Sequence, residues 1–231
     1  MAPRSWKGWV PAPLKRVARA ALRVEQFRRA MARLADLRPG DAPGRGLLAA
    51  LRSGWGNEGF TADLYYLEEV ARRAATTAGP VLECGSGLTT LVLGILAGRR
   101  GVETWSLEQD PVWFAPVAKA LRRYRVFGVR LRLAPLRDYG DFLWYDPPFA
   151  EMPATFGLVV CDGPPGSTRG GRFGLMPVCG HRFSPDTVIL LDDAARDNEF
   201  RTLCRWARQA DLQVELRELP EGTLALISGC R

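Results

Sequence analysis

The segment Val81-Leu82-Glu83-Cys84-Gly85-Ser86-Gly87-Leu88-Thr89-Thr90 constrains the fold of this chain more than any other. It reads as a short buried strand with an acidic residue near its end, a glycine-rich turn and the start of a helix. Two glycines one residue apart let the backbone turn tightly and let a ligand approach with no Cβ in the way. The helix that follows, expected from Leu88 to about Ala97, aims its unpaired N–H groups at whatever lies over the turn. This is the arrangement of a nucleotide-type cofactor site at the first strand of a doubly wound α/β domain. A dinucleotide fingerprint would place a third glycine at position 90, where this chain has Thr90.

The next strand is expected over Val102-Glu103-Thr104-Trp105-Ser106-Leu107 and ends at Glu108, 21 residues after Gly87. An acid at that distance is placed to accept hydrogen bonds from ribose hydroxyls. Glu108 would otherwise cap the following helix, but Asp110-Pro111 is the better N-cap and first-turn pair, which leaves Glu108 for a ligand. Glu83-Cys84-Gly85-Ser86-Gly87 resembles the first motif of class I S-adenosylmethionine (SAM)-dependent methyltransferases. The resemblance implies SAM as cofactor, with Gly85, Ser86 and Gly87 cradling its methionine part. It also implies that Glu83 fixes the amino group, that Glu108 holds the ribose, and that Thr90 belongs to the same site.

Composition narrows the setting. With 231 residues and 47% hydrophobic content, the chain can bury a full core in one α/β domain with an appendage. The cysteines Cys84, Cys161, Cys179, Cys204 and Cys230 show no metal-type pairing, and Cys84 and Cys161 close apolar strands, where a thiol acts as a small hydrophobe. That usage fits a reducing cytoplasm. No apolar run approaches the length of a membrane span. The net charge of +7 is concentrated: residues 1–40 carry ten basic and two acidic side chains, whereas 22 basic residues face 23 acidic ones in the rest. A nearly neutral body gives no general electrostatic case for nucleic acid as a partner.

Within the basic segment Leu14, Val17, Ala21, Val24, Phe27, Met31 and Leu34 recur every three or four residues, forming one apolar stripe on a helix with arginines around the rest. Three readings stay open. The stripe packs on its own domain or on a second subunit of a homodimer. Alternatively, the helix lies peripherally on an anionic membrane surface with Trp6 and Trp9 at the interface. In the third reading the segment is a targeting sequence, acid-free up to Glu25 but with a single serine and no clear cleavage region. Arg38-Pro39-Gly40-Asp41-Ala42-Pro43-Gly44 is a breaker-rich linker. The expected organisation is a basic amphipathic extension over residues 1–40 and an α/β domain over residues 41–231.

Helices are expected from about Thr61 to Ala75, Pro111 to Arg123 and Ala194 to Gln209, and strands over Val129–Leu133, Gly157–Cys161 and Thr187–Leu191. Two last strands, near Leu212–Leu216 and Thr223–Ile227, are joined by the turn signal Pro220-Glu221-Gly222. Alternating strands and helices predict a mostly parallel sheet. The closing antiparallel pair resembles the seven-stranded, Rossmann-like methyltransferase fold. Members of that family often fold a segment ahead of the first strand over the cofactor. Trp55 and Asn57 in Gly54-Trp55-Gly56-Asn57 are candidates for such a lid, unless Trp55 plugs the edge of the core.

Two segments compete for the substrate side. Asp146-Pro147-Pro148-Phe149 resembles the acid-Pro-Pro-aromatic motif of amino-methyltransferases acting on nucleic-acid bases, and would imply an RNA or DNA substrate gripped by the basic N-terminus. Its rival is Asp162-Gly163-Pro164-Pro165-Gly166. A parallel crossover needs a dozen or more residues. Seven residues separate Phe149 from the next strand, whereas 24 lie between Asp162 and Thr187, enough for a loop and a helix around Gly174–His181. Asp162 is therefore the functional position, and Asp146–Phe149 a loop before the fourth strand that lines the substrate pocket.

Cys161–Gly166, Gly171–Pro177 and Ile189–Arg196 together resemble a group of small bacterial class I methyltransferases of largely unassigned substrate, and the similarity runs from about Gly54 to Trp206. Methyl transfer from a sulfonium requires alignment of the acceptor and, for a hydroxyl, removal of its proton. Asp162, Asp192 and Asp193 converge at strand ends. Catechol-type O-methyltransferases are similar here, with acids after the fourth and fifth strands holding a divalent cation, which implies Mg²⁺ or Ca²⁺ on these three carboxylates. That family's pattern ends in Asp-Asn where this chain has Asp192-Asp193. In the alternative without metal, Asp193 caps the next helix and Asp192 pairs with Arg172 or Arg196. His181, the single histidine, is either a general base or a solvent-exposed residue at a helix end. The expected activity is SAM-dependent methyl transfer to oxygen of a small-molecule or glycan-type acceptor, with Asp162, Asp192 and His181 as candidate catalytic groups. A scaffold without turnover, attached through its N-terminal helix, is the non-enzyme alternative.

Overall fold

The computed structural model describes residues 12–56, 62–220 and 222–229, with side chains described from residue 16 onward. Three helices come first: α1 (Ala12–Ala35), α2 (Arg45–Trp55) and α3 (Leu64–Thr76). They are followed by β1 (Val81–Cys84), α4 (Leu88–Leu96), β2 (Thr104–Glu108), α5 (Pro111–Arg123) and β3 (Val129–Leu133). A short hairpin, β4 (Leu136–Asp138) with β5 (Leu143–Tyr145), precedes β6 (Phe156–Cys161), β7 (Phe183–Leu191), α6 (Asp197–Gln209), β8 (Gln213–Leu219) and β9 (Gly222–Ser228). Seven strands form one sheet in the order β3-β2-β1-β6-β7-β9-β8, parallel except for β9, which runs antiparallel to both its neighbours. This is the α/β, mostly parallel architecture expected from the alternation of periods. The strand order reverses between β1 and β6, the position where doubly wound sheets open a crevice beyond their carboxyl ends.

Both faces of the sheet are covered, which is why β1 and β2 are buried throughout, Glu83, Thr104, Ser106 and Glu108 included. Val81, Leu158, Val160 and Leu190 face a layer built from α1 to α5. Leu82, Cys84, Leu107, Cys161 and Leu191 face a second core containing Trp144, Tyr145, Phe173 and Trp206. Asp110 caps α5 as expected, its Oδ1 accepting from the Val112 N–H at 2.8 Å.

Three local features depart from the sequence reading. The linker ends at a helix, α2, whose Leu47, Leu48 and Leu51 are buried against the end of α1. The aromatic loop before β6 folds back as the β4–β5 hairpin, because Trp144 and Tyr145 are fully buried in the second core. The helix expected around Gly174–His181 is reduced to one π-type turn over Leu175–Cys179 and a 3₁₀ turn over Gly180–Arg182. Pro177 brings no N–H to a helical ladder there, and glycines flank the turn.

The apolar stripe of α1 is split. Phe27, Met31 and Leu34 are buried in the first core, while Val17 (65% exposed) and Val24 (46%) lie open, as does Leu22 (64%) off the stripe.

Candidate functional site

The site follows from strand register. Cys84 is paired with Leu107 on one side and Cys161 on the other, and Cys161 with Leu191. The next residues, Glu108, Gly85, Asp162 and Asp192, therefore stand in one row across the carboxyl ends of β2, β1, β6 and β7. Above that row lies a cavity of about 420 Å³, walled by the loops after these strands and by residues from α2, α3 and α5. Its volume is that of a small-molecule site.

On the β1–β2 side the glycine turn is built to leave space. Gly85 adopts φ +90°, and a Cβ there would meet the Gly163 nitrogen at 2.9 Å, so the loops after β1 and β6 touch backbone to backbone. A Cβ on Gly87 would enter open space. The three loop amides are engaged within the protein. Gly85 N–H donates to the Leu107 carbonyl, Ser86 N–H to Glu108 Oε2 and Gly87 N–H to Thr90 Oγ1. The turn thus offers a ligand a surface of backbone and short side chains, with its own three amides engaged by the protein.

Glu108 is less free than expected. Its Oε2 accepts from Ser86 N–H (3.0 Å) and Ser86 Oγ (2.7 Å), and Oε1 accepts from Asp110 N–H (3.0 Å). A carboxylate has about four acceptor positions, so these three bonds fix the side chain on the cavity wall and leave one position for a ligand. Glu83 lies elsewhere. It is fully buried beneath the turn, its Oε2 accepting from Thr90 Oγ1 at 2.6 Å and Ser106 Oγ at 2.5 Å, and it does not line the cavity. Burial pushes its carboxyl up to about 7 against the lowering effect of those hydroxyls. Glu83 and Thr90 are thus supports of the turn, not contacts of the cofactor as the sequence suggested. The physical reason is strand alternation: Glu83 points to the same face as Val81, toward α4, away from the crevice.

The β6–β7 side is charged. Arg172, 2% exposed, donates from Nη2 to the Asp162 carbonyl (2.6 Å) and to Asp162 Oδ1 (3.1 Å), and from Nη1 to the Asp192 carbonyl. Its Nη2 also lies 3.6 Å from Asp193 Oδ2, which pairs with Arg196 Nη1 at 2.8 Å. Behind Arg172 sits Glu199, 1% exposed, its Oε1 3.9 Å from Arg172 Nε. Desolvation raises the Asp162 carboxyl, with Arg172 pulling it down and Asp193 pushing it up. Desolvation, then the charges of Asp162 and Asp193, holds Asp192 well above the ordinary range. Burial alone would lower Arg172, but Asp162, Cys161, Asp192 and Glu199 outweigh it and keep the guanidinium charged.

The three carboxylates proposed for a metal do converge, with oxygens within 4.8 Å of one another. The donor set does not fit a divalent ion. Two cations already lie against these acids, Arg172 Nη2 at 3.1 Å from Asp162 Oδ1 and 3.6 Å from Asp193 Oδ2, and Arg196 Nη1 at 2.8 Å from Asp193 Oδ2, and a divalent ion beside them would be repelled. The cation they surround is the Arg172 guanidinium, and no step here is routed through a metal. Asp193 does not cap α6 either, because that helix begins at Asp197 with Arg196 as its N-cap.

Other expectations are corrected. His181 is exposed in the 3₁₀ turn, edge-on to Phe149 with ring centroids 5.0 Å apart, and is not part of the cavity wall. Asp146-Pro147-Pro148-Phe149 does not line the cavity: Asp146 pairs with Arg137 at 3.6 Å, and the Phe149 carbonyl accepts from Arg182. Spacing had removed the catalytic role from this motif, and the structure removes the lining role as well. Trp55 does line the cavity, at the end of α2, while Asn57 lies outside the described residues.

Among the wall residues that sequence reasoning missed are Tyr145 and Asp63. Tyr145, carried in by the hairpin, is fully buried with an unpartnered hydroxyl, and burial pushes that phenol well up. Asp63, at the N-terminus of α3, uses Oδ1 as the helix cap and keeps Oδ2 buried without a partner. The Asp63 cap had a local signal, an acid just ahead of an apolar-periodic run; Tyr145 had none.

No family model and no curated protein matches the sequence. Solved structures match its fold. The SAH-bound methyltransferase PaMTH1 of Podospora anserina superposes with a TM-score of 0.59 over 96% of this chain and 98% of its own, at 14% identity. The O-methyltransferase TomG of Streptomyces achromogenes, in complex with SAM, gives 0.53 over 74% and 82% of the two chains at 13% identity. The precorrin-6y C5,15-methyltransferase of Geobacter metallireducens gives 0.53 over 74% and 89% at 11% identity. At such identities the likeness is one of fold, and the fold is that of the class I SAM-dependent methyltransferases.

Proposed function

We propose that the chain is a SAM-dependent methyltransferase that methylates an oxygen of a small-molecule or glycan-type acceptor. The observation that carries this reading is the row Glu108, Gly85, Asp162 and Asp192 under one cavity, with acceptor carboxylate, glycine turn and desolvated acids in order across the strands. The cavity also fits the cofactor chemically. Its wall holds unpartnered buried polar atoms on Asp63, Gln109 and Tyr145, and open space above Gly87.

When bound, SAM supplies an activated methyl group on a sulfonium, so the protein has to align the acceptor and take its proton. Ser86 and Gly87 form the floor, and the remaining acceptor position of Glu108 holds a ribose hydroxyl. Asp162, 29% exposed at its side chain, is the group with access to a bound hydroxyl. Its raised pKa brings it closer to the acceptor's proton affinity, which improves it as a base once ionised. Arg172 fixes the Asp162 carboxylate and keeps it ionisable among three other acids. The raised value also sets the pH response: the base form is lost on acidification at a higher pH than for an ordinary aspartate, so turnover falls early on the acid side.

The direct test is the thermal midpoint with and without SAM and S-adenosylhomocysteine. Ligand at 100 times its dissociation constant stabilises by about 2.7 kcal/mol, a rise of roughly 5–10 °C for a domain of this size. No shift at millimolar ligand, with the protein folded, defeats the cofactor assignment and leaves a scaffold. Turnover with a methyl acceptor is expected to survive exhaustive chelation, and its loss would return the acids to a metal.

A further inference from the structure

The sequence assigned the amino group of the cofactor to Glu83, and the structure takes that acid out of the cavity. Asp63 is the acid that fills the vacancy. Its Oδ1 caps α3, accepting from Tyr65 N–H at 2.7 Å and Tyr66 N–H at 3.2 Å. Its Oδ2 is buried with no hydrogen-bond partner, on a residue that lines the same cavity as Ser86, Gly87 and Glu108. A carboxylate held by one oxygen and left unpaired at the other is costly in a buried wall, unless a ligand supplies the donor. The cap fixes the orientation of the side chain and leaves its second oxygen at the cavity wall without a partner.

We propose that Asp63 Oδ2 receives the α-ammonium group of the cofactor's amino-acid end. This rests on the SAM reading above, and it distributes the ligand across the cavity: adenosine on the β2 side by Glu108, ammonium at the start of α3. The alternatives on the wall are weaker. Glu108 retains one acceptor position, and Asp162 is already paired with Arg172.

The test exchanges one atom. Asp63→Asn keeps Oδ1 and the helix cap, since asparagine caps as well as aspartate, and replaces Oδ2 by an NH₂ that repels an ammonium. Calorimetric titration with S-adenosylhomocysteine and with 5′-methylthioadenosine, which lacks the amino-acid part, separates the outcomes. The expected result is a loss of about tenfold to a hundredfold for S-adenosylhomocysteine, with 5′-methylthioadenosine unchanged. An unchanged affinity for both ligands, or an equal loss for both, overturns the assignment and leaves the SAM reading standing. A folded wild-type protein that binds neither ligand overturns both.

A second inference rests on α1 alone. Its open half carries Val17, Leu22 and Val24 beside Arg16, Arg19 and Arg23, with no acid between residues 16 and 24. Beyond the described residues the sequence continues with Arg4, Trp6, Lys7 and Trp9. Exposed valines on one face have no use against a phosphate backbone, and two copies of so basic a helix repel one another. We infer that this half of α1 lies on an anionic lipid surface, Val17 and Val24 at the acyl boundary and arginines among the headgroups. The full chain is expected to co-sediment with phosphatidylcholine vesicles containing 30% phosphatidylglycerol, and not with phosphatidylcholine alone. Binding should fall about fivefold per arginine in R16Q/R19Q and about tenfold in V17S/V24S, at unchanged thermal midpoints. Absence of vesicle binding, vesicle binding indifferent to V17S/V24S, or a dimer in sedimentation that V17S/V24S dissociates overturns it.

Discussion

The two rims of the cavity are built from opposite materials. The β1–β2 rim consists of backbone and short polar side chains, with acids that are each tied by local hydrogen bonds: Glu83 to Thr90 and Ser106, Glu108 to Ser86 and Asp110. The β6–β7 rim is a cluster of four acids around one buried guanidinium. The first rim is a shape made rigid before any ligand arrives. The second is an electrostatic balance, in which Arg172 pulls down the carboxyls of Asp162 and Asp192 that burial pushes up. A cofactor of fixed structure suits the former, and a proton in transit suits the latter.

The largest expected effect comes from breaking that balance. Arg172→Met leaves Asp162, Asp193 and Glu199 without their buried counter-charge, and removing one partner of a buried ionic network costs about 3–5 kcal/mol. Urea denaturation should register the loss. If the variant does not fold, Arg172→Lys still tests the point, since it keeps the charge and loses the fork that reaches two carbonyls and a carboxylate at once. Full stability in Arg172→Met would show that the acids are protonated and indifferent, and the contrast between the rims would collapse.

Next is Glu83, whose carboxyl is raised from 4.5 to about 7. A group raised on folding adds stability that is complete below its unfolded value and lost as pH climbs through the folded one. Between about pH 4.5 and 7 the wild type should therefore lose up to about 3 kcal/mol from this group. Glu83→Gln, which does not titrate, should show a flatter stability profile over that window. Identical profiles would mean that Glu83 is ionised throughout and that the rim tolerates a buried charge.

How much of this was readable beforehand follows the same division. The β1–β2 rim lies within 28 residues of chain, from Val81 to Glu108, and its logic is local: strand, glycines, helix, acid at the next strand end. Even there, the direction of Glu83 had to be settled by which face of β1 was paired with α4. The β6–β7 rim depends on contacts that no spacing reports. Arg172 reaches Asp162 across ten residues and Asp192 across twenty, from a glycine-rich stretch with no periodicity. Tyr145 enters through a hairpin whose strands of three residues are too short to signal themselves. His181 looked chemical because it is the single histidine, yet rarity in composition carries no information about position.

The smallest expected effect sharpens the comparison from the rigid side. Glu108 accepts three hydrogen bonds from its own rim, so Glu108→Ala loosens the turn at Ser86 and, on the proposed function, removes the acceptor for a ribose. The ligand contact is worth about 1.5–3 kcal/mol, the range for a hydrogen bond to a charged group. Affinity for S-adenosylhomocysteine, measured by titration, should fall by about tenfold to a hundredfold. Because the turn sits on Glu83 and Thr90 as well, stability should change less than in Arg172→Met. If instead stability collapsed while the surviving folded fraction bound ligand normally, Glu108 would be a strut like Glu83, and the adenosine would have to be held from the α5 side of the cavity, where Gln109 keeps an unpartnered buried oxygen.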